Sequence, residues 1–251
     1  TNILYLGQGG ISLPDESYYR EDQYAEIRSA FAAHVETMFS LVGIAGGGEL
    51  AAKILKLETQ LASHHFDAVK DRDATLTYNK MNRAEVLALM PAFDFELYLS
   101  SGQIPAVVLD SVIVQQPPFF QGLSSILSAF DRDSWVAWLK WNIISGSAPY
   151  LSSDLVEENF NFYGKTLSGT PELRQRWKRA VSVVEGSLGE AVGKVYVEAH
   201  FPSEAKERME ELVANLIQAY RISINAIDWM SQETKLKALE KLGKFTPKIG
   251  Y

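Results

Sequence analysis

The second half of the chain contains Arg176-Trp177-Lys178-Arg179-Ala180-Val181, which continues through Gly189, Gly193 and Tyr196-Val197-Glu198 to Phe201-Pro202. Pro171 suits the first turn of a helix, because a residue there needs no backbone N–H partner. Pro202 cannot continue a helix. We therefore predict one long helix from Pro171 to Phe201, acting as a rigid spine. Ser203 is a good N-cap for the next helix, from about Glu204 to Ile227.

Helical periodicity also runs through the first half of the chain. Apolar residues at three-to-four spacing predict a helix from about Glu21 to Val42, with Gly43 as its stop. We interpret Gly46–Gly48 as a flexible break. A second helix is expected after it, with its apolar face formed by Leu50, Ile54, Leu57 and Leu61.

Local signals mark three more helices. Asn82 and Glu85 have the spacing of a capping box, which predicts a short helix that Pro91 ends. Pro117-Pro118 suits the first turn of another helix. A last helix is expected from about Gln232 to Leu242.

Few segments favour strands. Ile3–Leu6 is predicted to be a short strand with no partner strand close by in the sequence. Val107–Leu109 and Val112–Val114 are predicted to form a small strand or an extended linker. The sequence therefore predicts an all-α fold, a multi-helix lobe of about 8–10 helices with at most one or two short strands.

Composition excludes several classes of function. The net charge of −7 argues against a nucleic-acid-binding protein, which needs basic patches to neutralise phosphates. No apolar run approaches the roughly 20 residues that span a bilayer, so no membrane segment is expected. The chain has no cysteine, hence no disulfide, and no Asn-x-Ser/Thr sequon. Thr1 is not a natural start, and the chain stops at Ile249-Gly250-Tyr251 directly after a predicted helix, so both ends are interpreted as cuts.

The sequence offers no metal site. Catalytic zinc needs about three protein ligands, commonly two histidines one helical turn apart plus a carboxylate. His64 and His65 are adjacent and would point about 100° apart on a helix. His34 lacks a second histidine at the required spacing, and Pro202 interrupts the helix after His200. We expect helix-end or surface histidines and assign no metal ligand.

Other kinds of catalytic site are equally unsupported. Gly186-Ser187-Leu188-Gly189 lacks the spacing of a nucleophile elbow. Gly186, Gly189 and Gly193 are spaced by about one helical turn, and we interpret them as a smooth face for a packed helix, not as a phosphate loop. The acidic pairs suit acid–base chemistry only if they are buried together. These pairs are Asp131/Asp133, Glu157/Glu158 and Glu210/Glu211.

Two aromatic features have alternative interpretations. Trp177 lies among four basic residues, Arg174, Arg176, Lys178 and Arg179. The cluster is either a binding site for an anion or a peptide carboxylate, or a partly buried tryptophan whose basic neighbours pair with carboxylates. We favour the second interpretation. Trp135, Trp138 and Trp141 form one helical face, which is either a ligand platform or core, and we favour core.

Five motifs in order resemble the neprilysin/endothelin-converting-enzyme family of zinc endopeptidases. The likeness covers essentially all 251 positions, with Ser12 in place of a usual glycine. The matching elements are Ser12–Tyr19, Tyr78–Met81, Asn161–Lys165 leading to Tyr196–Val197, Asp228–Met230, and Lys248–Tyr251. Members from animals are disulfide-bonded and glycosylated, so this chain resembles a bacterial relative, either secreted, in the cell envelope, or cytoplasmic.

The resemblance implies a helical lobe that lies before the zinc half of the protein. Residues 1–20 would enter from the catalytic lobe, residues 21–228 would form the lid lobe, and residues 229–251 would return towards the catalytic lobe. The family's His-Glu-x-x-His helix, its general-base Glu and its Asn-Ala-Tyr/Phe motif would follow Tyr251, and its carboxylate-binding Arg would precede Thr1. We therefore assign no catalytic, substrate-binding or metal residue here, and place zinc in the other half.

The leading hypothesis is a lid lobe that is inactive alone. It would shape and gate the substrate chamber of a zinc metalloendopeptidase that cleaves peptides and small proteins, with the C-terminal catalytic lobe of the same polypeptide as partner. Loops around Gly43–Gly48 and Gly102–Pro105 would supply mobility. The alternative is a stand-alone helical protein-interaction module derived from such a peptidase.

Overall fold

The computed structural model describes residues 2–250. The chain forms two compact units, Thr1–Leu173 and Arg174–Tyr251. The described residues form twelve α-helices and three short strands, so the all-α prediction is confirmed. Two of the helices have only four residues, too few for sequence periodicity to reveal them, which explains why the count exceeds the expected one.

The first unit contains nine of these helices and all three strands. The helices are α1 (Ser17–Arg20), α2 (Ala25–Leu41), α3 (Gly47–Ala62), α4 (Ala74–Thr77), α5 (Arg83–Leu89), α6 (Phe95–Ser101), α7 (Pro117–Ala129), α8 (Arg132–Ser147) and α9 (Ser153–Asn159). A π-helix, Phe160–Leu167, follows α9 directly. The strands are β1 (Leu4–Leu6), β2 (Asn79–Met81) and β3 (Val112–Val114).

The small sheet has the strand order β1-β3-β2. β1 runs parallel to β3, with Leu4 opposite Val112, and β2 runs antiparallel to β3. The predicted N-terminal strand thus exists, and its partner comes more than a hundred residues later in the sequence. Val107–Leu109 instead lies in a 3-10 turn, Ala106–Asp110.

Two apolar clusters form the core of the first unit. One joins α2, α3, α8 and α9 around Phe31, Met38 and Trp141, and the other joins α3, α5, α6 and α7 to β3. Trp141 is fully buried, and Trp135 and Trp138 are partly buried against the core, as the core interpretation of the tryptophan face predicted. Helix α3 supplies residues to both clusters, which fixes its position.

Helix ends follow the local signals closely. Asn82 and Glu85 form the predicted capping box of α5, and Pro117-Pro118 opens α7. Gly43 has a left-handed φ of 76° directly after α2. The interpretation of Gly46–Gly48 as a flexible break is wrong, because Gly46 is the left-handed N-cap of α3 and Gly47 is its first helical residue.

The second unit consists of α10 (Arg176–His200), α11 (Ser203–Ala226) and α12 (Gln232–Gly243). The long helix begins at Arg176 and not at Pro171, and it kinks at Leu188, where φ is −132° and ψ is 24°. Ser203 is the first residue of α11 and makes no capping bond, so Pro202 occupies the N-cap position. None of the three helices contains a buried residue.

Among residues 2–250, no helix is both long enough and apolar enough to cross a bilayer.

Candidate functional site

The histidines do not gather into a metal site. Within the described range, no group of three or more His, Asp or Glu side chains could hold a metal ion, so these residues do not fit zinc. His65 Nε2 lies 3.1 Å from the carbonyl oxygen of Gly9, and His64 packs beneath Gly122. His200 ends α10, with its ring 4.9 Å from that of Tyr196.

His34 is the exception to the expected helix-end or surface histidines. Its side chain on α2 is buried, and Nδ1 lies 2.7 Å from Glu158 Oε1 on α9. The ring stacks on Phe162 at 4.8 Å and meets Trp141 and Tyr163 edge-on. Burial lowers the pKa of His34, and Nε2 has no hydrogen-bond partner. The imidazole is therefore held neutral as part of the core.

A second buried polar site centres on Glu58 of α3, which is fully buried. Its carboxyl oxygens accept hydrogen bonds from the Ser12 backbone N–H at 3.0 Å, from Ser12 Oγ at 2.7 Å and from the Tyr19 hydroxyl at 2.6 Å. Trp141 Nε1 donates to Ser12 Oγ at 2.9 Å. Burial raises the pKa values of both Glu58 and Tyr19. These contacts tie the Ser12–Tyr19 element to α3 and α8.

The Asn161–Lys165 motif lies inside the π-helix, a rare conformation that often marks functional sites. Gly164 allows the Phe160 ring to pack closely on the π-helix backbone, because a Cβ at this position would lie 2.3 Å from that ring. Phe162 is buried against His34, and burial raises the pKa of Tyr163 to about 12. This motif therefore packs the end of α9 against α2.

The acidic pairs are not assembled for acid–base chemistry. Asp131 caps α8 by accepting from the Ser134 N–H at 2.8 Å. Glu157 is exposed, and Glu158 pairs with His34. Glu210 and Glu211 lie on the exposed surface of α11.

The second unit exposes apolar residues along α10 on both sides of the kink at Leu188, which we call the α10 stripe. Its six members are spaced by three or four residues, so those before the kink share one helical face and those after it share another. Each is between 40% and 67% exposed: Trp177, Val181, Val184, Leu188, Val192 and Val195. The favoured interpretation of Trp177 as a partly buried tryptophan is thus wrong for this chain, because 62% of the residue is exposed.

The remaining surface of this unit is similarly uncovered. Helix α11 exposes a second apolar stripe of Met209, Leu212, Leu216 and Tyr220 beside a groove of about 460 Å³. A Cβ added to Gly186, Gly189 or Gly193 would meet no atom within 4 Å. The glycine face predicted to pack against a helix therefore has no partner among residues 2–250.

The basic residues near Trp177 are not paired with carboxylates either. In the part of the chain that the structure describes, Arg174, Arg176, Lys178 and Arg179 form no ion pair. Arg179 Nε donates to the Arg174 carbonyl at 3.1 Å, and Lys178 Nζ lies 5.4 Å from the centre of the Trp177 ring. The interpretation of these residues as neutralised by neighbouring helices is wrong within this chain.

Sequence reasoning missed the site around Glu58 altogether. The one available signal was a charged residue between Leu57 and Leu61 on an otherwise apolar face. A lone carboxylate at such a position indicates a buried hydrogen-bonded group, but it does not reveal the donors, which lie 46 and 39 positions away in the sequence.

The whole chain matches one protein-family model and two well-described relatives. The family model described as Peptidase family M13, for the N-terminal part of the family, matches residues 1–251. The chain is 27% identical over 259 residues to endothelin-converting enzyme 1 of Homo sapiens, covering 100% of the chain and 33% of that protein. It is 29% identical over 255 residues to neutral endopeptidase of Lactobacillus helveticus, covering 38% of that protein.

A solved structure supports the fold. The crystal structure of Mycobacterium tuberculosis zinc metalloprotease ZMP1 in complex with an inhibitor matches with a TM-score of 0.88 and 42% sequence identity. The match covers 97% of this chain and 37% of the ZMP1 chain. The chain thus spans between 33% and 38% of the length of these relatives.

Proposed function

Because this chain belongs to peptidase family M13, as its N-terminal domain, we propose that it is the non-catalytic lid lobe of a zinc metalloendopeptidase that cleaves peptides and small proteins. Its partner is the C-terminal catalytic lobe of the same polypeptide, and its role is to shape and gate the chamber between the lobes. The relatives named as an endopeptidase, a converting enzyme and a zinc metalloprotease support the reaction class.

The observation that carries this proposal is the α10 stripe. Six apolar residues at 40–67% exposure lie along the 25-residue, kinked helix α10, which buries none of its own residues. Full burial of a valine or leucine side chain is worth about 1.5–3 kcal/mol, so a partner that covers the stripe gains several kcal/mol. The relatives extend well beyond the matched region, and this additional polypeptide is the proposed cover.

In this proposal the described residues take no part in the hydrolysis itself. They contain no metal-binding group, so no step of hydrolysis is assigned to them. The zinc and its ligands belong to the catalytic lobe in this proposal. A lid contributes by excluding water and large substrates while a peptide is positioned for attack.

We propose that the chain enters the lid lobe from the catalytic lobe and later returns to it. Residues 1–20 lead in from the catalytic lobe, residues 21–228 form the lid, and residues 229–251 lead back. The buried contacts of Ser12 with Glu58 would anchor the leading segment to the lid.

The experiment compares the full-length protein with residues 1–251 alone on a short quenched-fluorescence peptide, with and without a zinc chelator. We expect chelator-sensitive cleavage by the full-length protein only. The same cleavage sequence placed within a folded domain tests gating, and we expect it to be cut far more slowly than the peptide. Cleavage by residues 1–251 alone would overturn the non-catalytic role. Equal rates on the peptide and the folded domain would overturn the gating role.

A further inference from the structure

The start of α10 concentrates positive charge in an acidic chain. Residues 173–184 contain four cations, Arg174, Arg176, Lys178 and Arg179, and no carboxylate, whereas the whole chain has a net charge of −7. None of the four forms an ion pair among residues 2–250. Exposed cations elsewhere do find acidic partners, such as Arg208 with Glu204 and Lys237 with Glu233.

The cations lie beside the first three residues of the α10 stripe, which we call the apolar strip. Trp177, Val181 and Val184 lie on one face of the helix and are 62%, 46% and 45% exposed. Trp177 Nε1 donates to Gln175 Oε1 at 2.9 Å, and Lys178 Nζ lies 5.4 Å from the centre of the Trp177 ring. Arg176 and Lys178 flank the tryptophan in sequence and are both exposed. The surface therefore combines an apolar centre with a cationic border.

A surface with an apolar centre and a cationic border favours a partner of a particular chemistry. An apolar centre is covered by apolar side chains, and unpaired cations at its edge select carboxylates and repel other cations. Arginine also binds carboxylates in bidentate fashion, which fixes the register of the partner. The partner is thus an amphipathic, acidic segment.

We infer that the start of α10 is the docking site of an acidic segment of the same polypeptide outside residues 1–251. Its apolar side chains cover Trp177 and Val181, and its carboxylates pair with Arg176 and Lys178. The inference rests on the proposed function, because the segment belongs to the part of the M13 relatives that this chain does not span.

The test measures whether this surface is covered in the full-length protein and whether charge holds the cover. Val181→Cys introduces a thiol into the strip of a chain that has no cysteine, and its rate of maleimide labelling is followed by mass spectrometry of the peptide that contains position 181. Labelling is compared at about 0.1 M and about 1 M NaCl, between which the Debye length falls from about 10 Å to about 3 Å. The variants Arg176→Glu/Lys178→Glu and Lys237→Glu/Lys241→Glu change the charge equally at two sites.

We expect labelling to be on the order of tenfold slower at low salt than at high salt. Arg176→Glu/Lys178→Glu should label fast at both salt concentrations, while Lys237→Glu/Lys241→Glu should behave as the unreversed protein. Fast labelling in every background would show that nothing covers the strip. Labelling that is equally slow at both salt concentrations and in both charge-reversal variants would show that the strip is covered by a segment that does not depend on these cations. Either result overturns the inference, whereas cleavage of the short peptide separately reports on the proposed function.

Discussion

His34 Nδ1 lies 2.7 Å from Glu158 Oε1, so a buried histidine on α2 is joined to a carboxylate on α9. The other groups that face the ring are Trp141, Phe162 and Tyr163. Glu158 is therefore the only carboxylate among the described residues in contact with this imidazole. The pair makes the packing of α9 on α2 sensitive to acid.

The stability of the chain should fall as the pH drops below the ordinary histidine pKa of 6.5. Burial lowers the pKa of folded His34, so the unfolded chain takes up the proton first, and the stability from neutral His34, present above pH 6.5, is lost below it. Protonation would also bury an unpaired Nε2–H. In urea melts from about pH 7 to about pH 5, His34→Phe should show a shallower loss of unfolding free energy.

The exposed His200 supplies the matched control for this measurement. His200→Gln should keep the pH dependence of the unmodified chain. Parallel pH profiles for the unmodified chain and His34→Phe would contradict the assignment of acid sensitivity to His34.

Gly164→Ala should destabilise the π-helix. The new Cβ would lie 2.3 Å from the Phe160 ring, and forcing that ring away should cost about 1–3 kcal/mol. Gly146→Ala in the last turn of α8 is the control, because a Cβ there meets nothing within 4 Å and alanine is a better helix former than glycine. Thermal melts should thus shift in opposite directions, and equal shifts would show that the close contact has no consequence.

Glu58→Gln should cost about 1–3 kcal/mol, because an amide leaves buried donors unsatisfied. The carboxyl group accepts from Ser12 N, Ser12 Oγ and the Tyr19 hydroxyl, and a glutamine retains only one carbonyl oxygen. Glu49→Gln, on the exposed side of the same helix, should change the unfolding free energy by less than about 0.5 kcal/mol. Similar losses for both variants in denaturant melts would argue against the hydrogen-bonded site as their cause.

Two tryptophan substitutions separate core from surface. Trp141→Ala should cost about 3–5 kcal/mol, because its side chain is fully buried. Trp177→Ala in residues 1–251 should cost less than about 1 kcal/mol, because 62% of the residue is exposed. A loss of similar size for Trp177 in urea melts of this chain would mean that the indole is covered in solution.

The sequence predicted the elements whose signals are local. The Asn82/Glu85 box, the prolines at the start of α7 and the tryptophan face of α8 each depend on residues within a few positions of one another. It did not predict contacts between distant segments. The pairing of Leu4 with Val112 and the bonds from Ser12 to Glu58 depend on how the helices are packed, which periodicity does not encode.

Trp177 shows a different limit. An aromatic residue at helical spacing is usually buried, but burial needs a covering partner, and residues 2–250 provide none for α10. Apolar patterning therefore predicted that the face is covered without identifying the cover. No candidate site residue could be assigned from the sequence for a related reason. The proposed role of this surface is docking, and a docking surface depends on a partner that residues 1–251 do not include.

A charge within the α10 stripe should separate folding of the chain from assembly of the whole protein. Val184→Glu and Val192→Glu place carboxylates at positions that are 45% and 40% exposed, so thermal melts of residues 1–251 should change little. In the full-length protein the same charges would be buried under the catalytic lobe without a partner, which is costly. We expect cleavage of the short peptide to fall by roughly tenfold or more, the rate equivalent of about 1.4 kcal/mol. Lys237→Glu/Lys241→Glu changes exposed charges on α12, outside the stripe, and should leave cleavage unchanged. Normal peptide cleavage by both stripe variants would contradict docking of the catalytic lobe on this face.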